Sequence, residues 1–357
     1  MLSFIAVTIL AQTIDARDQA KGLAEIFLMT LGLALVIGLV FGKGGNKRAW
    51  CRHVCPIGLL LGVFSRLGIV QFSPKQQYPE GPTYVNQGAC PTLIDINHKN
   101  ESRHCIECFK CVKPSSEGGL FVHFRKPGKE IEEIHQHNGN LTEIFFIFMG
   151  TGIALGGFLW LILPSYQTIR QAVGNWFLEQ NAYWIGNVGP HWLMSVTVGQ
   201  TYNWLDFIMI VGFMLFYLAT VTGLLSACTA INAWLIGRLR GTGNFKQRFV
   251  SLGYSFAPIA MLSIIIGLGD ILFKTLESGL GHHFIVGIKV VALLISMVWS
   301  SYLSLKAISF YHLSGYRRWF ALLPALMGIL MIALAWWPAI FGSNFSALEY
   351  YRHHLIS

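Results

Sequence analysis

The sequence predicts an all-α integral membrane protein with about six transmembrane helices. Hydrophobic residues make up 54% of its 357 residues and charged residues only 12%, and the mean hydropathy is +0.52. These values are too apolar for an ordinary soluble domain. The net charge of +9 fits this class, because Lys and Arg of membrane proteins collect in cytoplasmic loops. We expect no binding to nucleic acid, the other common reason for a basic balance.

Six apolar stretches are long enough to cross roughly 30 Å of hydrocarbon. They cover about residues 22–42, 143–164, 204–236, 250–275, 283–305 and 319–342. Residues 1–12 are also apolar, but they are too short to span a bilayer and lack signal-peptide features, so we expect them at the interface. Residues 55–72 carry one charge, Arg66, on an otherwise apolar helical surface. They predict a helix along the membrane surface, with a re-entrant segment as the alternative.

The distribution of basic residues predicts the topology. Thirteen Lys and Arg fall within 43–141, loops 237–249 and 306–318 hold four and three more, and loop 165–203 holds one Arg. Because basic loops stay in the cytoplasm, the first three are predicted inside a bacterial-type inner membrane, with loop 165–203 and both termini outside. The Trp and Tyr residues of loop 165–203 are typical of an interfacial belt or a short surface helix.

This pattern divides the chain into three parts. Residues 1–42 form an N-terminal interfacial segment and the first span, residues 43–141 a cytoplasmic segment, and residues 142–357 a bundle of about five helices. Six of the seven cysteines lie in the middle part. Their spacing is typical of metal ligands and not of a disulfide framework, so this segment is expected to carry the chemistry.

The run Cys105-x2-Cys108-x2-Cys111 has the spacing of iron–sulfur ligands. Three thiolates in one tight loop fold back on one metal centre, and the backbone N–H groups can face the sulfurs. A fourth ligand must come from elsewhere, and the nearest upstream thiol is Cys90, which a proline follows. We predict that these four cysteines bind one 4Fe-4S cluster. Zinc is the main rival, but four-cysteine zinc sites usually pair two Cys-x2-Cys knuckles.

Cys51 and Cys55 leave several interpretations open. A spacing of four puts two residues on one face of a helix, where they could bind a metal together with a partner's thiols or a nearby histidine. The nearby histidines are His53, His98 and His104. A cluster shared across a homodimer and a redox-active dithiol are two further interpretations. In a final interpretation, the two cysteines bind no metal and only shape the turn that follows them.

The other histidines do not predict a haem. His282, His283 and His312 lie near span ends, and no second span offers a mid-membrane histidine to face them, so we expect no b-type haem. His135 and His137 follow two glutamates, which is typical of a solvated loop.

Few other polar residues lie in the spans. Cys228 lies within an apolar span, where a thiol behaves as a small hydrophobic group. The ionisable residues at span edges are Asp206, Asp270 and Lys289. Such residues would form a quinone site only if the tertiary structure brought them together beside aromatic groups.

The stretch 48–58 (RAWCRHVCPIG) resembles the signature of membrane-bound polyferredoxins, which carry Trp-Cys-x3-Cys-Pro-x-Gly just after a span. The run 105–112 strengthens the match. Residues 253–258 (GYSFAP) are similar to a short sequence in a later helix of these proteins. The family is similar to the membrane ferredoxin of periplasmic nitrate reduction, the C-terminal half of the nitrous-oxide reductase regulator and the accessory protein of cytochrome oxidase assembly. The resemblance implies a small ferredoxin-like segment between the first and second spans, and electron transfer through cytoplasmic 4Fe-4S clusters.

The chain departs from this family's pattern at two points. A two-cluster ferredoxin repeats Cys-x2-Cys-x2-Cys-x3-Cys-Pro twice, and each run lends its last Cys to the other cluster. Here the first run keeps only Cys90-Pro91, and Ser115 stands where the second run would have its fourth Cys. Together the two losses remove the ligands of one cluster and leave a complete set of four cysteines for the other. A second centre at Cys51 and Cys55 stays open.

Two functions of different classes fit these observations. The first is an electron-transfer subunit of an oxidoreductase complex, which passes electrons between a soluble donor or quinone and a membrane or periplasmic redox partner. Its basic inner face would attract acidic redox proteins. The alternative is an assembly or metal-handling accessory protein for a respiratory metalloenzyme. A channel or transporter is disfavoured because the spans lack charge clusters and inverted repeats.

Overall fold

The structure is a computed structural model that describes residues 2–13, 20–41, 55–74, 99, 101–103, 105, 107–112, 120–137, 139–189, 203–240, 243–313 and 315–341. Its helices are α1 (Leu2–Thr13), α2 (Ala20–Phe41), α3 (Pro56–Phe64), α4 (Lys129–Glu132), α5 (Leu141–Leu159), α6 (Pro164–Glu179), α7 (Trp204–Arg240), α8 (Phe245–Gly253), α9 (Ala257–Leu268), α10 (Asp270–Leu280), α11 (His282–Phe310) and α12 (Tyr316–Phe341). Strands β1 (Val70–Pro74) and β2 (Leu120–Phe124) form an antiparallel sheet.

The helices confirm the predicted fold class. Within the described residues, five segments are long and apolar enough to cross a membrane, namely Leu141–Leu159, Trp204–Leu239, Phe245–Gly267, His282–Phe310 and Tyr316–Phe341. Helix α2, 22 residues long, covers the sixth predicted stretch. The outer faces of α2, α7, α11 and α12 expose large apolar side chains. Faces of this kind contact lipid, so the protein is a multi-pass membrane protein.

The bundle is organised around α5, which is buried along most of its length. A Cβ added at Gly152 would lie 2.8 Å from the Cα of Leu218, and one added at Gly156 would lie 2.9 Å from the Cα of Met214. Glycines at a spacing of four therefore let the α5 and α7 backbones meet directly, as small residues do in membrane helix pairs. Helix α1 also packs on this bundle, with Ile5 and Ile9 against its core.

The predicted helix over residues 55–72 is wrong in its second half. Helix α3 ends at Phe64, a 3-10 turn follows over Ser65–Leu67, and the chain is extended as β1 from Val70. Burial explains the change of structure, because Arg66 is 0% exposed and is drawn into a network of carboxylates. Residues 70–74 then pair with β2, which lies far along the chain.

Loop 165–203 contains the predicted surface helix, α6. Arg170 lies on this helix, and its Nε atom is 2.6 Å from Oδ1 of Asp206 at the start of α7. Two of the loop's aromatic residues, Trp192 and Tyr202, lie outside the described residues. The one basic residue of this loop is thus paired with a carboxylate.

The three basic connections meet at one end of the bundle. Residues 134–139, 243–251 and 310–312 line a common cleft. His135 is exposed and His137 half-buried, and the His135 ring also stacks on Phe310 with 3.8 Å between centroids, so the predicted solvated loop additionally packs against the end of α11. Burial lowers the pKa of His135, although the nearby Glu133 opposes this shift.

Candidate iron–sulfur site

The two-stranded sheet forms a platform for the cysteine loop. Phe72 of β1 pairs with Val122 of β2, and the side chains of Phe72 and Leu120 are buried together. Cys105 and Cys111 pack against this small apolar core. The strands are therefore connected to the loop through side-chain packing as well as through the chain.

The loop has an unusual backbone. Glu107 and Phe109 have φ angles of 51° and 59°, while Cys108 between them is not in the left-handed region. Left-handed conformations cost non-glycine residues on the order of 1–3 kcal/mol, and they concentrate at functional sites. Left-handed residues at alternate positions are also a feature of the backbone nests that bind anions at iron–sulfur sites.

Backbone hydrogen bonds fix both ends of the loop. The N–H of Cys105 donates to the carbonyl of Ser102 at 3.1 Å, and the N–H of Leu120 donates to the carbonyl of Cys111 at 3.3 Å. Within the loop, the N–H of Val112 donates to the carbonyl of Phe109 at 3.0 Å. The loop is thus a compact turn anchored on β2.

The three thiols of the loop differ in exposure. Cys105 and Cys111 are half-buried and Cys108 is exposed, while Cys90 lies outside the described residues. Among the described residues no three His, Cys, Asp or Glu side chains converge as a metal-binding group, so the three thiols do not point at one centre. The donor set, the nest-like backbone and the apolar contact of two of the thiols nonetheless fit a 4Fe-4S cluster.

Cys55 does not lie on a helix, which corrects the prediction that Cys51 and Cys55 share a helical face. Cys55 is the N-cap residue of α3, with an extended backbone of φ −60° and ψ 119°. Pro56 is the reason, because a proline disfavours helical geometry in the residue before it and suits the first helical position. Cys51 lies outside the described residues, as do His53, His98 and His104.

The remaining predicted residues have other surroundings. Cys228 is buried on α7, as expected of a small hydrophobic group. His282 and His312 lie at opposite ends of α11. The ammonium of Lys289 lies 4.8 Å from the centroid of Phe273, while Asp206 pairs with Arg170. Nothing is described of the Asp270 side chain.

A buried network of charges lies next to the cysteine loop. It consists of three guanidinium groups and three carboxylates, so its net charge is zero. The members are Arg66, Arg103, Arg125, Glu101, Glu130 and Glu143. Two of them, Glu101 and Arg103, lie within four residues of Cys105 in the chain.

Arg66 is the centre of this network. Its NH1 atom lies 2.8 Å from Oε1 of Glu130, and its Nε atom lies 3.3 Å from Oε2 of Glu143. Its NH2 atom lies 3.2 Å from Oε2 of Glu101. A guanidinium suits this task because it presents five donors in one plane and stays charged when buried.

The carboxylate of Glu143 connects the network to the bundle. Glu143 lies in the first turn of α5 and accepts a 2.6 Å hydrogen bond from the hydroxyl of Tyr254. The same hydroxyl accepts from the N–H of Asn140 at 3.0 Å. On the side of the cysteine loop, Nε of Arg103 lies 2.6 Å from Oε1 of Glu143.

The carboxylate of Glu130 connects the network to the sheet. It lies 2.7 Å from NH1 of Arg125, the residue after β2, and accepts the N–H of Ser102 at 3.1 Å. Burial alone would raise the pKa of Glu130, but Arg66 and the hydrogen bonds from Arg125 and Ser102 outweigh it and hold the pKa below its ordinary value. Burial would likewise lower the pKa of Arg66, yet its carboxylate partners, Glu143 first, raise it.

Sequence reasoning missed this network. The available signal was a lone Arg66 in one apolar run and a lone Glu143 at the start of another. Charges that are costly in apolar surroundings are usually paired, so the two could have been matched. Tyr254 lies in the stretch 253–258 that the sequence already singled out, and the structure gives it a contact with the network.

The membrane-length helices define a multi-pass membrane protein, and a family match adds it to the iron–sulfur class. Residues 26–73 match the family model of the 4Fe-4S binding domain, and an iron–sulfur cluster is therefore its cofactor. Residues 123–337, more than half of the chain, match the family model of the Yip1 domain. The chain belongs to the Yip1 domain family.

Two curated proteins of Methanocaldococcus jannaschii are similar to parts of the chain. The uncharacterized protein MJ0749 is 32% identical over 103 residues, which is 29% of this chain and 39% of the relative. The uncharacterized protein MJ0750 is 29% identical over 72 residues, 20% of this chain and 29% of the relative. The chain thus spans well under half the length of these relatives. No solved structure matches it significantly.

The two family matches differ in the cysteines that they contain. The 4Fe-4S match over 26–73 contains Cys51 and Cys55, and the Yip1 match begins at residue 123. Cys90 and the loop from Cys105 to Cys111 lie between the two matches. The cluster ligands, both Cys90 with the loop and the pair Cys51 and Cys55, therefore stay a prediction.

Proposed function

We propose that this protein transfers electrons at the membrane through a 4Fe-4S cluster held by Cys90, Cys105, Cys108 and Cys111. Electrons would pass between a soluble donor or quinone and a redox partner in the membrane or periplasm. The observation that carries the proposal is the nest-like loop between Cys105 and Cys111, packed on its own sheet. The cluster, when bound, supplies a one-electron carrier.

The surface of the loop suits electron exchange with a partner. Cys108 is exposed, and beside it the ring of Phe109 is 54% exposed. Lys110, two positions after Cys108 in the chain, is also exposed and adds a positive charge to the surface of the loop. An acidic redox protein would be attracted to this surface, and its own centre could come close to the Cys108 side of the loop.

The buried network would hold this site against the bundle. Arg66 joins carboxylates from three separate parts of the chain, so that the cysteine loop cannot move independently of α5. Transfer between a loop site and a membrane partner requires such a fixed arrangement. The convergence of three basic connections in one cleft supports a cytoplasmic location for this side.

We also propose that Cys51 and Cys55 belong to a second metal centre. The 4Fe-4S match that contains both of them supports this assignment. Cys55 is half-exposed at the start of α3, so its thiol is accessible to a metal or a partner. The remaining ligands would come from the nearby histidines, the other cysteines or a second copy of the chain.

Metal analysis of the purified protein tests the proposal. We expect iron with acid-labile sulfide in the wild type, and a cluster signal in electron paramagnetic resonance after reduction. Cys90→Ser and Cys108→Ser should lose that signal, whereas Cys228→Ser, on the buried face of α7, should keep it. Cys55→Ser should reduce the iron content without removing the first cluster's signal. Zinc without sulfide would overturn the assignment.

Strains that lack the gene separate electron transfer from an assembly role. If the protein transfers electrons, the partner enzyme should mature normally without it, and artificial electron donors should restore the enzyme's activity. If the partner enzyme lacks its metal centre and artificial donors fail, the protein instead acts in assembly.

A further inference from the structure

The cleft at the basic end of the bundle is a second feature of the chain that could bind a ligand. It has a volume of about 810 Å³ and lies between residues 134–139, the N-terminal half of α8 and the end of α11. Ligand pockets usually measure roughly 300–1,000 Å³. The cleft is therefore large enough for a small organic ligand.

The charges that line the cleft are of one sign. The charged lining residues are Lys246 and Arg248, and the imidazoles of His135, His137 and His312 also line the cleft. No Asp or Glu lines it among the described residues. A cleft of this composition attracts anions, because low-dielectric walls concentrate the field of the charges that they carry.

The cleft is built from well-fixed groups. The guanidinium of Arg248, a residue that is 9% exposed, donates from Nε to the carbonyl of Ala233 at 3.0 Å and from NH1 to that of Gly243 at 2.6 Å. The hydroxyls of Ser251 and Tyr311 lie 3.0 Å apart and share a hydrogen bond. Fixed charges need little reorganisation when a ligand binds, which favours affinity.

The position of the cleft indicates where its ligand comes from. Lys246 lies in the first turn of α8, and α8 and α9 together form one membrane-length segment. His312 lies two residues after the end of α11, which is another such segment. The cleft thus lies at the level where spans end and lipid headgroups begin. The N-terminus of α8 adds its partial positive charge there.

We propose that this cleft binds the phosphate of an anionic phospholipid headgroup. The basic lining would contact the phosphate, and a free phosphate ion would fill only a small part of the volume. The exposed edge of Phe310 offers an apolar surface for the glycerol backbone. The proposal is independent of the cluster and its ligands.

Lipid binding to the delipidated, full-length protein in detergent tests the proposal. Phosphatidylglycerol and phosphatidylcholine would be titrated separately and the bound lipid counted by native mass spectrometry. The double variant Lys246→Gln/His312→Gln removes two exposed cleft residues. Lys306→Gln is the matched control, because Lys306 lies over the ring of Tyr302 outside the cleft.

We expect the wild type and Lys306→Gln to bind phosphatidylglycerol in preference to phosphatidylcholine. The double variant should bind phosphatidylglycerol about tenfold more weakly, the factor that one charge-assisted hydrogen bond supplies. Binding of inorganic phosphate to the wild type, lost in the double variant, without binding of phosphatidylglycerol would keep the phosphate site but overturn the lipid as its source. Equal binding of both lipids, or loss of binding in the control as well, would overturn the proposal.

Discussion

Arg66 has the least expected surroundings of any residue. It is the only charge in an apolar stretch, yet it is fully buried and does not reach toward water. Burying a charge costs several kcal/mol, so the carboxylates around it must compensate. Because the network is neutral as a whole, removing one member leaves an unpaired charge in the interior.

Replacing Arg66 by alanine should destabilise the protein by about 3–5 kcal/mol, because Glu130 and Glu143 lose their shared partner. Thermal unfolding of the purified protein in detergent measures the loss. Lys306→Ala is the control, since Lys306 is exposed and contacts the ring of Tyr302 through a cation–π interaction, and it should change stability by less than about 1 kcal/mol. An Arg66→Ala protein as stable as this control would show that the network adds nothing.

The Glu130 carboxylate should make the protein sensitive to acid. Its pKa in the folded protein is below the ordinary value of 4.5, so the unfolded chain takes up the proton first. The stabilisation is complete above pH 4.5 and is lost as the pH falls through the lower pKa of the folded state. We therefore expect the difference in unfolding temperature between wild type and Glu130→Gln to be constant from pH 7 to 5 and to shrink below it.

This comparison uses two proteins that hold the same cluster ligands. General acid damage to the cluster affects both and cancels in the difference. A difference that stays constant or grows as the pH falls would contradict the proposed role of Glu130.

At the scale of elements, the contact between α5 and α7 and the small sheet determine the architecture. Side chains at Gly152 and Gly156 would collide with the α7 backbone, which cannot yield as a flexible side chain does. The sheet, in turn, exists only because residues 70–74 meet residues 120–124. Both features depend on contacts between distant parts of the chain.

The variant Gly152→Ala should therefore lower the unfolding temperature, although alanine favours a helix over glycine by about 1 kcal/mol. Gly223→Ala on α7 is the matched control, since a Cβ there meets nothing within 4 Å. It should leave stability unchanged or raise it by about 0.5–1 kcal/mol. Equal behaviour of the two variants would show that the α5–α7 contact is looser than the structure indicates.

At the scale of the whole molecule, the chain separates charge between its two ends. Basic connections gather around the cleft at one end, while at α6 the lone Arg170 is paired with Asp206. This asymmetry is what the positive-inside rule uses to orient a protein in the membrane. The proposed cytoplasmic side can therefore be tested directly by labelling the two ends of the bundle.

A membrane-impermeant maleimide should label Trp184→Cys in intact cells, because Trp184 is exposed in the loop predicted to lie outside. It should label Lys246→Cys only after the membrane is opened. The unchanged parent protein controls for native thiols such as the exposed Cys108. The reverse pattern would invert the topology and with it the side of the cluster.

The sequence alone determined the membrane class and the five membrane-length helices, and it offered a short surface helix in loop 165–203 as one of two interpretations. Those properties are local, since a span needs only about 20 consecutive apolar residues to cross hydrocarbon. It also singled out the spacing from Cys105 to Cys111, which is typical of iron–sulfur ligands and can be read from neighbouring positions alone.

Only the tertiary structure decided the end of α3 at Phe64, the burial of Arg66 and the shape of the basic cleft. The partners in the charge network are 64, 77 and 111 residues apart in the chain for the pairs Arg66–Glu130, Arg66–Glu143 and Glu143–Tyr254. Hydropathy and spacing report on neighbours within a few positions. Which distant charges meet depends on how the helices pack, and that packing is a property of the whole chain.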